Sequence, residues 1–408
     1  MNILIATEVI NVGGAETFTL RLSSALQKKG HNVFIYSFYK DQFEEGLYKS
    51  LAPNVQILWP EVPMQYMAKN IDRVLFKSKI DYKLQDTYFR KTLEKFLSEK
   101  KIDIVHSHLL KTDTICLEAG RKFNIPVVTT IHGDYLQFYN KTQQGIKIPL
   151  LNYKKKAAEN LNSLKKIVCI SDKQVAFFHE KFFTETKDKV VTIYNGYSTP
   201  KPAVEKQSLR ESLKIKTSDF VFGMVSRGVP TKGWEEAIAA FLQLNNESTH
   251  LVFIGDSEYV QQLKTQHAAH KRIHFIGFSS EPLEWINIFD IGLLPSTYPS
   301  ESLPTVIVEY LRCNKPIIAS DAGEIKKMIQ KDGKDAGIIV PVKDGKIPVP
   351  GISEAMKTYI EDKNLYALHQ QNTSVCFEQF DMNKCVAAYT EVYKNAIVNS
   401  HKVKTTVK

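Results

Sequence analysis

Residues 290–324 read DIGLLPSTYPSESLPTVIVEYLRCNKPIIASDAGE, and this stretch decides the fold. Residues 291–295 are a short apolar run bounded by turn residues, which is typical of a buried strand in a parallel sheet. Pro304 suits the first turn of a helix, where its missing N–H is not needed. Asn314 ends that helix, and residues 316–320 form the next buried strand. The stretch therefore predicts a strand, loop, helix and strand of a parallel α/β protein.

Two carboxylates bracket the start of this helix, Glu301 in the loop and Glu309 about one turn inside. Free N–H groups at a helix start, backed by the helix dipole, attract phosphate. A carboxylate instead accepts hydrogen bonds from sugar hydroxyls. This combination suits a nucleotide sugar, although an ordinary crossover with two solvated glutamates fits the same spacing.

Similar turns occur at other predicted strand ends. Residues 13–16 (GGAE) form a glycine turn between the strand 2–7 and a helix, and such glycines let backbone N–H groups approach a phosphate. A plain tight turn would have the same sequence. Arg227 and Lys232 surround the turn after the strand 220–226, where two cations could grip a diphosphate from two sides. Surface loops are often basic, so this spacing alone does not decide the matter.

Three histidines lie at the ends of two further predicted strands. His106 and His108 end the strand 102–108, and His132 ends the strand 126–132. Ligands of open parallel sheets bind beyond the carboxyl ends of the strands, so these side chains are placed for a site. A structural role is the common alternative for a histidine.

Taken in chain order, GGAE at 13–16, His132, Arg227-x4-Lys232 and Glu301-x7-Glu309 resemble the motifs of the retaining glycosyltransferases of family 4. The resemblance covers nearly the whole chain. It implies an α/β fold of two Rossmann-like domains facing a cleft, the GT-B fold, and an enzyme that needs neither a metal ion nor a cofactor. The sequence departs from the family at residues 303–304 and 310–312, where Phe-Gly and Ala-Met-Ala are common.

The resemblance also implies roles for individual residues. Two of them are expected at the reaction centre: His132 and Glu301. Glu309 is expected to bind the ribose. The donor diphosphate is expected to meet Gly13, Gly14, Arg227, Lys232, Leu303, Pro304 and Thr305. The base is expected at Gly277 and Phe278, although Phe278 could equally belong to the core. The acceptor side is expected to include Glu16, and also His106 and His108 because of their position at a strand end.

At 408 residues the chain is too long for one ordinary core, so two domains are predicted. Residues 1–196 are assigned to an acceptor-binding domain, to which a helix at about residues 376–398 crosses back. Residues 197–375 are assigned to a nucleotide-sugar donor-binding domain, in which residues 352–370 are predicted to be helical.

Composition indicates the compartment and the partners. Hydrophobic residues make up 43 % and charged residues 24 %, which is normal for a soluble globular protein. Neither a membrane-spanning run nor a signal peptide is recognised, and five scattered cysteines fit reduced cytoplasmic thiols. The net charge of +10 fits an anionic membrane surface or a phosphorylated substrate, whereas no motif supports nucleic acid. The Lys- and Tyr-rich residues 66–101 would suit a membrane-surface helix or an ordinary solvated one.

The predicted function is retaining transfer of a hexose or N-acetylhexosamine from a nucleotide diphosphate sugar, with UDP as the expected nucleotide. The acceptor is expected to be lipid-linked or a polysaccharide, at the cytoplasmic face of the cell membrane, in the synthesis of cell-surface glycans. One alternative is a degenerate nucleotide-binding subunit that partners an active transferase, suggested by Leu303-Pro304 and by the missing acidic residue after Asn195-Gly196. Another is a sugar-nucleotide epimerase on the same fold, whereas a phosphorylase would need a pyridoxal lysine that no motif indicates.

Overall fold

The computed structural model describes residues 1–78, 83–133, 142–143, 146–147, 153–179, 184–198, 206–279, 281–298 and 301–405. The chain divides into two compact units. The first comprises residues 1–198 and 382–408, and the second comprises residues 199–381. The division after residue 198 falls two residues beyond the predicted domain boundary.

The first unit is built on parallel strands joined by helices. Its strands are β1 (Asn2–Thr7), β2 (Asn32–Ser37), β3 (Gln56–Leu58), β4 (Ile104–His108), β5 (Val127–Ile131), β6 (Thr142–Gln143), β7 (Ile146–Lys147), β8 (Lys166–Cys169) and β9 (Val190–Thr192). A seven-stranded parallel sheet has the order β3-β2-β1-β4-β5-β8-β9, and β6 pairs with β7. The helices are α1 (Gly14–Lys28), α2 (Glu45–Leu51), α3 (Val62–Lys77), α4 (Leu84–Glu99), α5 (Leu110–Phe123), α6 (Tyr153–Ser163) and α7 (Asp172–His179).

The second unit repeats this architecture. Its strands are β10 (Phe220–Val225), β11 (Thr249–Ile254), β12 (Ile273–Gly277), β13 (Ile291–Leu294), β14 (Ile317–Ser320), β15 (Gln330–Lys331), β16 (Lys334–Asp335) and β17 (Gly337–Val340). A six-stranded parallel sheet has the order β12-β11-β10-β13-β14-β17, and β15 pairs with β16. The helices are α8 (Lys206–Ser212), α9 (Trp234–Leu244), α10 (Glu258–Gln266), α11 (Pro282–Ile288), α12 (Thr305–Arg312), α13 (Ile325–Met328), α14 (Val349–Glu361) and α15 (Lys363–Phe377). The last helix, α16 (Met382–Thr405), belongs to the first unit.

Both faces of each sheet are covered, which explains the nearly continuous apolar strands. In β1, for example, Leu4 packs in the core that includes α4 and α5, while Ile3 packs in the core that includes α1 and α16. A third core joins the second unit's sheet to α9 and α14.

The strand order fixes where ligands can bind. In both sheets the chain runs outward from the first strand and then returns to its other side, so the order changes direction between β1 and β4 and between β10 and β13. Ligands of such sheets bind at the carboxyl ends of the strands at this switch point. In the first unit a candidate site is therefore expected beyond β1 and β4, and in the second unit beyond β10 and β13.

Three elements differ from the sequence-based expectation. The helix predicted at residues 352–370 is two helices, because the Asp362 side chain accepts hydrogen bonds from the N–H groups of Asn364 and Leu365 and caps α15. Strand β17 lies in a segment rich in Gly and Pro, whose composition does not indicate a strand. The basic stretch 66–101 includes most of α3, which begins earlier at Val62, and all of the separate helix α4. Among the described residues, the helices are too short or too polar to cross a membrane.

Candidate functional site

The turn after β10 brings Lys232 to the end of β13. Gly233, directly after it, has a φ of +82°, and a Cβ there would lie 2.1 Å from the carbonyl oxygen of Pro295. Only glycine lets the two backbones approach so closely. Because β10 and β13 are neighbours in the sheet, this contact places the Lys232 side chain beside the loop that carries Glu301.

Lys232 and Glu301 form a buried ion pair at this switch point. The Lys232 ammonium donates to Oε1 of Glu301, and the two residues are only 8 % and 6 % exposed. The hydroxyl of Ser296, which is fully buried, donates to the same carboxylate oxygen at 2.7 Å. The ring of Tyr298 lies 5.7 Å from the Lys232 ammonium. The second unit thus holds one cation and one carboxylate in contact, at the point where the sequence predicts diphosphate and sugar binding.

The backbone of Glu301 is fixed by a second turn. Gly323 has a φ of +57°, and a Cβ on it would lie 1.8 Å from the Glu301 carbonyl oxygen. The N–H of Glu324 donates to that same oxygen at 3.0 Å. These contacts hold the loop in place from the end of β14, which is adjacent to β13. Ser296 was not among the site residues predicted from the sequence, although it closely follows the end of β13.

The helix α12 begins without a side-chain cap. Pro304 is its N-cap, and in the described residues no side-chain hydrogen bond caps the first turn, although the N–H of Ile307 donates to the Pro304 carbonyl at 3.0 Å. Leu303 and Pro304 are half-buried and Thr305 is exposed, while Glu309 is half-buried one turn further along. The departure at Leu303-Pro304 therefore leaves the helix start intact and accessible to an anion.

Tyr310 explains another departure from the family pattern. Its hydroxyl accepts a hydrogen bond from the Val225 N–H at 2.9 Å and donates to the Leu293 carbonyl at 3.2 Å. A Cβ at Gly292 would lie 2.4 Å from the Tyr310 ring. The large residue on α12 is thus matched by a glycine on β13, and it ties the helix to both central strands.

The residues predicted to meet diphosphate and base at the other strand ends are accessible. Arg227 has an exposed side chain, and its carbonyl accepts a hydrogen bond from the buried indole N–H of Trp234 at 3.1 Å. Gly277 has a φ of +89°, and its carbonyl accepts from the Gly255 N–H at 2.9 Å. Phe278 is 77 % exposed, which excludes the core role that the sequence allowed.

In the first unit, the glycine turn lies beneath a carboxylate. Gly13 precedes α1, and a Cβ on it would lie 2.2 Å from Oε2 of Glu16. Burial raises the pKa of the Glu16 carboxyl above its usual range. Glu16 therefore lies close to Gly13 at the helix start where the sequence predicts a diphosphate, whereas Gly14 is exposed and has open space beside it.

The three predicted histidines form one column of tilted rings at the ends of β4 and β5. The ring centroids of His106 and His108 are 4.5 Å apart, and those of His108 and His132 are 4.9 Å apart. A hydrogen bond of 2.9 Å joins Nε2 of His132 to Nδ1 of His108. Leu109, next to His108, has a φ of +71°, which is a strained conformation of the kind that clusters at functional sites.

The members of this column differ in access. His106 is fully buried, and its two ring nitrogens contact the hydroxyls of Thr130 and Tyr393 at 2.7 and 2.8 Å. The expected acceptor-side role of His106 is therefore corrected to a packing role, because it fastens α16 to the sheet. His108 is 1 % exposed, and His132 is partly exposed. Burial lowers the pKa of His132 to about 4, so this ring is neutral at about pH 7.

A polar cluster beyond β1 and β4 was missed by sequence reasoning. Glu8 follows β1 directly, and burial raises its pKa. Lys111, at the start of α5, lies 3.5 Å from the Asp86 carboxylate and 2.8 Å from the Tyr39 hydroxyl. Burial opposes the charge of Lys111, yet its pKa is raised, because Asp86, Tyr39 and Glu8 favour the protonated form. The sequence did contain a signal for this cluster, since the charged residue Glu8 directly follows the buried strand β1.

Two family models match the chain, one to each half. The model of Glycosyltransferase Family 4 matches residues 12–200, and the model of Glycosyl transferases group 1 matches residues 205–373. The chain belongs to the family 4 glycosyltransferases. The motif resemblance found in the sequence is thereby confirmed.

Relatives of this glycosyltransferase include enzymes whose names contain a lipid. The UDP-Gal:alpha-D-GlcNAc-diphosphoundecaprenol alpha-1,3-galactosyltransferase of Escherichia coli is 26 % identical over 321 residues, which cover 76 % of this chain and 79 % of that protein. The alpha-monoglucosyldiacylglycerol synthase of Acholeplasma laidlawii is 24 % identical over 343 residues, which cover 79 % and 80 %.

A solved structure with the same fold is HepE of Anabaena in complex with UDP. It is 18 % identical to this glycosyltransferase, with a TM-score of 0.71 over 97 % of this chain and 100 % of that one. This likeness and the two parallel sheets confirm the predicted GT-B fold class. Within the described ranges, no three His, Cys, Asp or Glu side chains lie close enough together to hold a metal ion.

Proposed function

We propose that this glycosyltransferase moves a hexose or an N-acetylhexosamine from a UDP-sugar to a hydroxyl of a lipid-linked or polysaccharide acceptor, with retention of configuration. The observation that carries this proposal is the buried Lys232–Glu301 pair at the switch point of the second sheet. A cation suited to a diphosphate and a carboxylate suited to sugar hydroxyls meet there. The UDP bound to HepE and the UDP-Gal named as a substrate of the E. coli relative support UDP as the nucleotide.

Donor binding is assigned to residues of the second unit. The exposed Arg227, the Lys232 ammonium and the N–H groups at the start of α12 would balance the charge of the diphosphate. The exposed ring of Phe278 offers a flat apolar surface for the uracil, and Glu309 would accept hydrogen bonds from the ribose. Lys232 must then pass from Glu301 to the diphosphate, or contact both at once.

The chemical step is assigned to the substrates themselves. The acceptor oxygen forms a bond to the anomeric carbon on the same face from which the diphosphate oxygen departs. The acceptor's proton passes to the leaving phosphate oxygen, so no side chain acts as a nucleophile. Arg227 and Lys232 stabilise the negative charge that develops on the diphosphate, and the reaction proceeds without a metal ion. His132, being neutral at about pH 7, would stabilise the transition state by hydrogen bonding.

The acceptor and the location follow from the relatives and from the charge. The E. coli relative is named for a diphosphoundecaprenol acceptor, and the A. laidlawii relative is named as a glycolipid synthase. The net charge of +10 would favour an anionic membrane surface. We therefore assign the acceptor to the first unit and the enzyme to the cytoplasmic face of the cell membrane, in the synthesis of cell-surface glycans.

The test is a transfer assay with the full chain. UDP-glucose, UDP-galactose and UDP-N-acetylglucosamine are each mixed with a lipid extract that supplies acceptors, with and without EDTA, and released UDP and labelled product are measured. We expect one donor to react, EDTA to have no effect, and NMR to show an α-linked product from the α-linked donor. A β-linked product would contradict retention, and loss of activity with EDTA would contradict metal independence. Binding of UDP without transfer to any acceptor would instead support a degenerate subunit.

A further inference from the structure

Large apolar side chains that remain exposed are concentrated on one helix of the first unit. In the part of the chain that the structure describes, the exposed large hydrophobic residues include five on α3, each between 39 and 64 % exposed: Met64, Tyr66, Met67, Ile71 and Val74. The others are scattered over the chain: Val12, Val229, Phe278, Tyr298, Leu368 and Val398. Single exposed apolar residues are normal, whereas a contiguous patch marks a contact surface.

Four of these residues form a stripe along the helix. Met64, Met67, Ile71 and Val74 follow the spacing i, i+3, i+7 and i+10, which places them within an arc of about 80° at 100° per residue. A different face of α3 attaches the helix to the unit, since Gln65 is only 2 % exposed. The α3 stripe, meaning Met64, Met67, Ile71 and Val74, is therefore an apolar face that is exposed in the part of the unit that the structure describes.

A row of cations runs along the next face of α3, about 60° from the near edge of the stripe at 100° per residue. Lys69, Arg73 and Lys77 follow the spacing i, i+4 and i+8, and all three are exposed. The acidic residue of α3, Asp72, is directed towards the start of α4 and not towards this row. Its two oxygens accept hydrogen bonds from the N–H groups of Leu84 at 2.6 Å and of Gln85 at 3.0 Å. An apolar stripe beside a basic row is the pattern of a helix that lies in the surface of an anionic membrane.

The neighbouring helix shows that an amphipathic pattern alone does not create this surface. Helix α4 is also amphipathic, but its apolar residues Phe89, Leu93 and Leu97 are at most 1 % exposed. They belong to the core of the unit. Of these two helices, α3 alone has apolar residues left over for an external partner.

We propose that α3 is a membrane-docking surface, with the α3 stripe in the acyl boundary and the basic row against anionic lipid headgroups. The use of this surface rests on the proposed function, because a lipid-linked acceptor must be reached at the membrane. A second copy of the chain is the competing occupant. In a two-fold interface built on α3, the basic rows of the two copies would lie near each other and repel, which favours the membrane.

Vesicle co-sedimentation of the full chain tests the proposal. The vesicles are phosphatidylcholine with or without phosphatidylglycerol, and the stripe variant is Met67→Gln with Ile71→Gln and Val74→Gln. The row variant replaces Lys69, Arg73 and Lys77 by Gln. Matched controls change exposed residues of the second unit: Leu368→Gln, and Lys264→Gln with Lys357→Gln and Lys363→Gln.

We expect the wild type to bind only the anionic vesicles, and added salt to weaken this binding. Each basic residue near an anionic surface contributes roughly a fivefold gain in binding, so the row variant should bind roughly a hundredfold more weakly. The stripe variant should lose roughly tenfold or more, and the controls should match the wild type.

Three results would overturn the proposal. The wild type could fail to bind anionic vesicles, or both α3 variants could bind as it does. Sedimentation velocity could also show that the stripe variant alters the oligomeric state while vesicle binding is unchanged, which would make α3 a contact between copies. Stabilisation by UDP, measured in parallel, separates this proposal from the proposed function. Vesicle binding lost in the variants, together with a wild type that does not respond to UDP, would support the surface and contradict the donor assignment.

Discussion

Replacing Lys232 by Met removes the charge of the buried pair while it keeps a long apolar side chain. Glu301, which is 6 % exposed, would keep the hydrogen bond from Ser296 but lose its cation. Breaking a buried ion pair on one side costs about 3–5 kcal/mol, because the remaining charge stays desolvated. For a unit of this size we expect the midpoint of thermal unfolding to fall by about 10 °C in the absence of ligand.

A matched surface pair controls for the loss of any lysine. Lys331 lies 3.0 Å from Glu378 in the same unit, but its side chain is 21 % exposed and that of Glu378 is 54 % exposed. Lys331→Met should therefore cost less than about 1 kcal/mol. The double variant Lys232→Met with Glu301→Gln removes both buried charges and should be more stable than Lys232→Met alone by about 2 kcal/mol.

The assay is unfolding of the purified full chain by heat and by urea, followed by circular dichroism. Unfolding of Lys232→Met at the same temperature as Lys331→Met would contradict this prediction. A double variant no more stable than Lys232→Met would contradict it as well. Either result would mean that Lys232 does not offset the cost of burying the Glu301 carboxylate. Separating the two side chains when a donor binds would then not lower the stability of the protein.

Three further predictions concern the surroundings of this pair and the histidine column. Gly323→Ala should destabilise the protein by several kcal/mol and weaken UDP binding, because the added Cβ would overlap the Glu301 carbonyl. The control is Gly333→Ala, which has a φ of +73° but open space around it and should cost only about 1 kcal/mol. Thermal unfolding of the two variants measures the difference. Stability should fall as the pH drops from about 6.5 towards 4, since burial lowers the pKa of His132 from 6.5 to about 4 and that of His106 to about 3. The unfolded chain binds these protons and the folded chain does not, so each histidine costs about 1.4 kcal/mol per pH unit in this window. His132→Gln should make the dependence shallower, and an unchanged slope would contradict the buried neutral ring. Phe278→Ala should raise the Kd for UDP roughly tenfold. The unfolding midpoint should not fall, because a ring that is 77 % exposed contributes little to packing. If calorimetry gave the same Kd for the wild type and the variant, Phe278 would not belong to the base site.

Most of the strands could be predicted because their signal is local. The apolar run at 291–295 corresponds to β13 (Ile291–Leu294), and the run at 316–320 corresponds to β14 (Ile317–Ser320). The residues that carry the family motifs are also contiguous or closely spaced in the sequence. Strand β17 could not be predicted, since pairing with β14 stabilises a segment whose own composition favours turns.

The contacts within the site depend on chain segments that are far apart. Lys232 and Glu301 are 69 positions apart, and they meet only because β10 and β13 are neighbours in the sheet. His106 was placed at the acceptor side from its position at a strand end, but Tyr393, 287 positions away on α16, covers it. Likewise, the exposed face of α3 and the buried face of α4 have similar compositions and differ only in what packs on them.

The most direct test of the central claim is nucleotide binding by the second unit's residues in the full chain. Thermal unfolding is measured with UDP, GDP, ADP and CMP for the wild type, Arg227→Ala and Glu309→Ala. The first side chain is exposed and the second half-buried, so neither change is expected to unfold the protein. At about a hundred times its Kd, UDP should stabilise the wild type by about 2.7 kcal/mol, which raises the midpoint by several degrees. The account predicts this rise with UDP alone and a smaller rise in both variants. A UDP response that is the same in all three proteins, or absent from the wild type, would contradict it.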